Sequence, residues 1–178
     1  MSFLHIYIWV ITMKSIKSYI LTGILFVSVL GTLLHFAYDW SGNHFWVGLF
    51  TPINESIWEH TKLIFFPTLV YALYLNKKIK TEYPCVSSAM ILGAISGVLS
   101  IITLFYTYSG ILGFHVAFVD IAIFYISVIA SFYIAYKAML SCKIKKWAIL
   151  LQALNLLMIC LFLIFTLYPP NIPLFIQP

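Results

Sequence analysis

Five apolar runs, each close to the length needed to cross a bilayer, constrain this 178-residue chain more than any other feature. A segment in lipid must satisfy its own backbone N–H and C=O groups, which a helix of about 20 residues does and an open strand does not. The runs cover about residues 19–38, 57–75, 86–105, 111–136 and 147–167. With 63% hydrophobic and only 8% charged residues, too little polar surface remains to solvate a globular domain of this size. The expected fold is all-α: a polytopic membrane helix bundle of about five transmembrane helices, a multi-pass cell-membrane protein with the lipid bilayer as its first partner.

The charges give that bundle a direction. Nine of the ten lysines (Lys14, Lys17, Lys77, Lys78, Lys80, Lys137, Lys143, Lys145, Lys146) fall at alternate gaps, whereas Asp39, Glu55, Glu59, Asp120, His35, His44, His60 and His115 lie around the other gaps or inside the runs. Positive charge marks the cytoplasmic side, so the N-terminus is expected inside and the C-terminus outside. The net charge of +5 forms no basic helix or aromatic-interleaved patch, and no nucleic-acid partner is expected. Arginine is absent, which removes the bidentate fork usual in phosphate recognition. Cys85, Cys142 and Cys160 match no zinc or redox spacing, and no structural disulfide is expected.

Residues 14–178 read as a single transmembrane domain, and 1–13 as an apolar extension or surface segment, with Met13 an alternative start to Met1. The longest connection, Asp39 to Glu55, has a turn at Ser41-Gly42-Asn43, aromatic residues able to dip into the interface (Phe45, Trp46, Phe50), and Thr51-Pro52 as a helix start. It is expected to fold back onto the bundle.

The densest polar stretch follows, Asn54-Glu55-Ser56-Ile57-Trp58-Glu59-His60 with Lys62. On one helix, Glu55 and Glu59 stack a turn apart and Ser56 and His60 form a neighbouring stack. Acids at a helix start can simply offset its dipole; a carboxylate beside an imidazole can also bind a metal or act as acid and base. His35 and Asp39 repeat the one-turn spacing in the first run. His35, Asp39, Glu59 and His60 are thus the candidate ligands of a divalent ion such as zinc, and Glu59 and Asp120 the candidate catalytic carboxylates. Asp120 lies several residues into the fourth run, at a depth of about 10 Å by helical rise, and Lys62 is the only lysine off the cytoplasmic side. A buried carboxylate must be neutral or paired, so Lys62 and Asp120 are expected to pair or to share a network with Glu59. His115, five positions before Asp120, should face elsewhere. Ala89, Gly93 and Gly97 make a small-residue stripe for close helix approach, and Pro67 should kink the second span.

The stretch His35-Phe36-Ala37-Tyr38-Asp39-Trp40-Ser41-Gly42, with Val47-Gly48-Leu49-Phe50-Thr51-Pro52-Ile53-Asn54-Glu55-Ser56-Ile57-Trp58-Glu59-His60-Thr61-Lys62-Leu63, resembles the signature of an uncharacterised family of small bacterial multi-pass membrane proteins, a domain of unknown function. The likeness extends through Tyr108-Ser109-Gly110, Asp120-Ile121 and the Pro169-to-Phe175 tail. It implies a membrane fold and supplies no activity. The family's tail runs on through Asp-Pro and Gly-Tyr-Gly stretches, where this chain has Gln177-Pro178. Ser56-x-x-x-His60 with Trp58 and Glu55 is also similar to the first motif of the membrane hydrolases that include alkaline ceramidases and the progestin and adiponectin receptors. Those bind zinc through that histidine and a late His-x-x-x-His pair, which this chain lacks.

Three readings follow: a metal-dependent hydrolase working at the outer leaflet, a small transporter with an Asp120, Lys62 and Glu59 relay, or a non-catalytic subunit assembled with another membrane protein.

Overall fold

A computed structural model describes the backbone of residues 3–177 and the side chains of residues 16–177. The described residues are helical throughout, without a strand. The elements are α1 (Phe3–Trp40), a short α2 (Phe45–Gly48), α3 (Ile57–Ile79), α4 (Val86–Leu112), α5 (Ala117–Ser141) and α6 (Ala148–Leu167), with 3-10 turns at Lys143–Trp147 and Pro173–Phe175. The backbone of α1 begins at Phe3, within the stretch 1–13 expected as an apolar extension or surface segment, and the side chains before Ile16 lie outside the described residues.

Four helical stretches are long and apolar enough to cross a membrane: Ile16–Trp40, Val86–Leu112, Ala117–Ser141 and Lys143–Leu167. The fifth long helix, α3, is different in kind. Its 23 residues reach about 35 Å at 1.5 Å per residue, but it carries Glu59, Lys62, Lys77 and Lys78. Packing explains how it tolerates the first two. α3 lies between α1 and α4 and touches α6, and Glu59 and Lys62 are only 2% and 0% exposed. α6 sits at the other extreme: only Leu151, Phe162 and Thr166 are buried, while Ile149, Leu150, Leu156, Leu157 and Ile164 are exposed. Exposed apolar rows also run along α1 (Leu21, Leu25, Val29, Leu33) and α5 (Ile121, Ile126, Ile129). Contiguous apolar surface on this scale is untenable in water and suits a hydrocarbon surround.

Specific contacts fix the helix directions. Tyr71 of α3 donates to the Tyr19 carbonyl of α1 (2.6 Å), Ser87 of α4 to Asn76 of α3 (2.7 Å), and Lys62 near the start of α3 to Thr166 near the end of α6 (2.6 Å). The long helices therefore alternate in direction. Lys77 and Lys78 of α3 and the Lys143–Trp147 turn share one end of the bundle, and the opposite end collects Asp39, Glu55, Glu59, Asp120, His35, His60 and His115. At the lysine-bearing end Cys85 and Cys142 form a disulfide, Cα atoms 5.6 Å apart. That corrects the expectation of no bridge: motif spacing says nothing about two cysteines 57 residues apart, whereas the antiparallel α4–α5 pair brings their helix ends together.

The small-residue stripe performs as expected. Ala89 is fully buried; a Cβ on Gly93 would lie 2.7 Å from the Ser131 carbonyl oxygen of α5, and one on Gly97 would lie 3.2 Å from the Ser131 Cβ. Gly31 of α1 does the same for α3, where a Cβ would stand 2.6 Å from the Leu63 carbonyl oxygen. That carbonyl is the one Pro67, four residues on and without an N–H, leaves without its helical donor.

Helix limits differ from the sequence reading at two places. α3 starts at Ile57 with Ser56 as N-cap, not at Thr51-Pro52. α4 continues through Tyr108-Ser109-Gly110 to Leu112, and the reversal falls at Gly113 (φ 78°), whose N–H bonds the Ser109 carbonyl at 2.8 Å. Trp58 in the first turn of α3 is 6% exposed and packs on Phe162, Phe165 and Phe175. Gly93→Val should lower the unfolding temperature in detergent, with a loss of about 1–3 kcal/mol from overpacking. Gly110→Val, at a position with open space around it, should not; equal melting of the two variants would contradict the close approach.

Candidate functional site

Three polar constellations occupy the end opposite the lysines, and the local sequence explains each. In the first, the Lys62 ammonium reaches four acceptors: Glu59 Oε2 (2.6 Å), Thr166 Oγ1 (2.6 Å), the Gly48 carbonyl (3.0 Å) and the Thr51 carbonyl (3.3 Å). Glu59 in turn accepts from the Ile53 N–H (3.1 Å) through Oε2 and from Thr166 through Oε1 (3.1 Å). The loop between α1 and α3 is thereby tied to α3 and α6 by one buried ion pair. The ammonium has an acceptor for each of its protons and each Glu59 oxygen has a donor within reach, which offsets the desolvation of the two charges. Such a group is a strut. Glu59, expected as a catalytic base and metal ligand, is closed off from any substrate.

The second constellation forms because Glu55 precedes α3 instead of lying on it. Asn54 Oδ1 accepts from the Ser56 N–H (2.9 Å), and the Ser56 hydroxyl caps the Glu59 N–H (3.4 Å). These caps satisfy the first turn of the helix and leave Glu55 off the helical stack expected for it. Its carboxylate swings to His60 Nε2 at 3.2 Å. His60 Nδ1 lies 2.9 Å from the Ser56 carbonyl, an acceptor only, so Nδ1 carries a proton and Nε2 is the nitrogen that faces the carboxylate. A lone pair facing a carboxylate is favourable only with a proton or a cation between them. His35 completes the group: its ring centroid is 5.0 Å from that of His60, and its Nδ1 is buried with no hydrogen-bond partner. Ligand atoms of His35, Glu55 and His60 lie within 4.8 Å of one another. Two of the four expected ligands, His35 and His60, are brought together; Glu55 takes the place expected for Asp39, which is exposed, and for Glu59.

The third constellation overturns the expected Lys62–Asp120 pair. Asp120 stands in the first turn of α5, where a negative charge suits the helix dipole, not deep in a span. Its partners are the Tyr108 hydroxyl and His115 Nδ1 (3.1 Å). His115 was expected to face elsewhere on a continuous helix; it belongs to the Gly113–Val116 turn and folds back onto the carboxylate. Tyr108, Thr166 and His115 are the residues that sequence reasoning missed. A hydroxyl among apolar neighbours carries no pattern, but a histidine beside Gly113 was a detectable sign of a turn.

The Glu59–Lys62 assignment has a direct consequence. Lys62→Met alone strands a buried carboxylate and should cost about 3–5 kcal/mol in equilibrium unfolding. Adding Glu59→Gln should recover most of that loss, and adding Asp120→Asn none; the reverse pattern of rescue would show the wrong partner has been assigned.

Neither a curated protein nor a solved structure matches the chain. A sequence model described as Family of unknown function (DUF6512) matches residues 8–178, and the chain belongs to that family.

Proposed function

We propose that this is a five-span membrane protein, α3 being the fifth span, with its lysine-bearing end in the cytoplasm and an outward divalent-metal site formed by His35, Glu55 and His60. The sorting of lysines supports the orientation, and the burial of Glu59 and Lys62 supports α3 as a span. The observation that carries the site is the convergence of two imidazoles and a carboxylate within 4.8 Å, with Nε2 of His60 directed at Glu55. Two imidazoles this close repel one another if both are protonated, whereas a divalent ion satisfies both together with the carboxylate. Two His and one Glu form the donor set of zinc sites that keep a fourth position open for water or substrate. The Ser56 carbonyl on His60 Nδ1 is the outer hydrogen bond that fixes a ligating imidazole.

With such an ion bound, the reading is a metal-dependent hydrolase acting on a substrate at the outer leaflet; zinc would supply an activated water at neutral pH. Glu59 takes no part in the chemistry, and Asp39 contributes at most a nearby charge. The relay reading finds less support, since Asp120 bonds Tyr108 and His115 while Glu59 and Lys62 bond each other and Thr166.

Zinc titration of the purified, metal-stripped chain tests the proposal. One equivalent should bind, with affinity reduced at least about tenfold by His60→Ala or His35→Ala, as loss of a ligand requires, reduced by Glu55→Gln, and unchanged by Asp39→Asn. Hydrolysis of an acyl-ester probe should stop with chelator and return with zinc. Identical zinc binding by wild type and His60→Ala would refute the site.

A further inference from the structure

The third constellation has the geometry of a binding site. Tyr108 receives the Val116 N–H at 3.0 Å and donates its own proton to Asp120, so the start of α5 is pinned to the end of α4. An ionised carboxylate only accepts, so His115 Nδ1 must donate to Asp120 Oδ2. In its neutral form the ring keeps a lone pair on Nε2, held in one orientation by the carboxylate behind it. The His115 side chain is 43% exposed and lines an open groove of about 540 Å³, within the range of roughly 300–1,000 Å³ usual for small-molecule sites. The remaining wall is largely apolar, with Ile57, Phe105, Phe114, Pro173 and Ile176. Beside it, Ile111, Leu112, Phe114 and Phe118 are exposed, so the groove is continuous with apolar helix surface.

We propose that this groove binds a single-chain amphiphile, its head donating a hydroxyl to His115 Nε2 and its hydrocarbon tail lying against Ile57, Phe105, Phe114 and Ile176. A fixed acceptor beside an apolar trough selects a molecule with one O–H donor and a chain. An anionic head is disfavoured because Asp120 stands directly behind the imidazole. Entry is lateral, along the exposed face of α4 and α5. The site uses none of the three proposed metal ligands and rests only on the membrane placement given above.

The test is photolabelling of the full chain in detergent with a monoacylglycerol carrying a diazirine in its acyl chain. Label should map to residues 105–115 and 173–177, be displaced by excess monoolein, resist displacement by methyl oleate, which lacks the hydroxyl, and persist in chelator. His115→Ala should weaken competition by monoolein about tenfold, the loss of one buried hydrogen bond. Ile176→Trp, which fills the trough without touching the Asp120 network, should abolish the label. Labelling that is equal in wild type, His115→Ala and Ile176→Trp, or that spreads over α1 and α6, overturns the proposal; loss of label in chelator would instead assign the site to the metal centre and overturn its independence.

Discussion

The buried Glu59–Lys62 pair is the interaction on which the polar end of the molecule depends. Two charges at 2% and 0% exposure are tolerable because they pair with each other and take further hydrogen bonds from several parts of the chain. Gly48 and Thr51 come from the connection after α1, Ile53 from the stretch before α3, and Thr166 from α6. A purely apolar contact between these elements could slide. An ammonium with four directed acceptors cannot, and the price of satisfying it is a single allowed arrangement of the cap.

That arrangement decides where the neighbouring side chains go. With Ile53 held on Glu59 and Ser56 capping α3, the backbone at Ser56 is extended and the Glu55 carboxylate before it is delivered to His60 and His35. The acid that looked most catalytic in the sequence is the strut, and the acid that looked like a dipole cap is the one in the ligand cluster. At the opposite end Cys85 and Cys142 are held with Cα atoms 5.6 Å apart by the α4–α5 packing. In a reducing cytoplasm that same packing would present two adjacent thiols.

Much of the architecture was legible because it rests on simple periodicities. Runs of span length, lysines at alternate gaps and the Ala89, Gly93, Gly97 stripe each report a constraint that acts along one helix or at its ends. The site was legible in residue type but not in partnership. Whether Glu55 stacks on Glu59 or turns toward His60 depends on which residue caps α3, and Ser56 and Thr51 are both credible caps by sequence. Whether His115 meets Asp120 depends on four residues of turn, Gly113–Val116, that the apolar content of the run conceals. Thr166 joins Lys62 across 104 positions, and no local rule anticipates a contact of that reach.

The end of the bundle opposite the lysines therefore presents two kinds of chemistry: the His35, Glu55 and His60 cluster beside the buried ion pair, and a largely apolar groove lined by His115. The most direct measurement of the central claim is zinc-edge X-ray absorption of the purified chain loaded with one equivalent of metal. Two imidazole nitrogens at about 2.0–2.1 Å and a carboxylate oxygen at about 2.0–2.2 Å are expected around the ion. A shell of oxygen alone, or one containing sulfur at about 2.3 Å, would contradict the account.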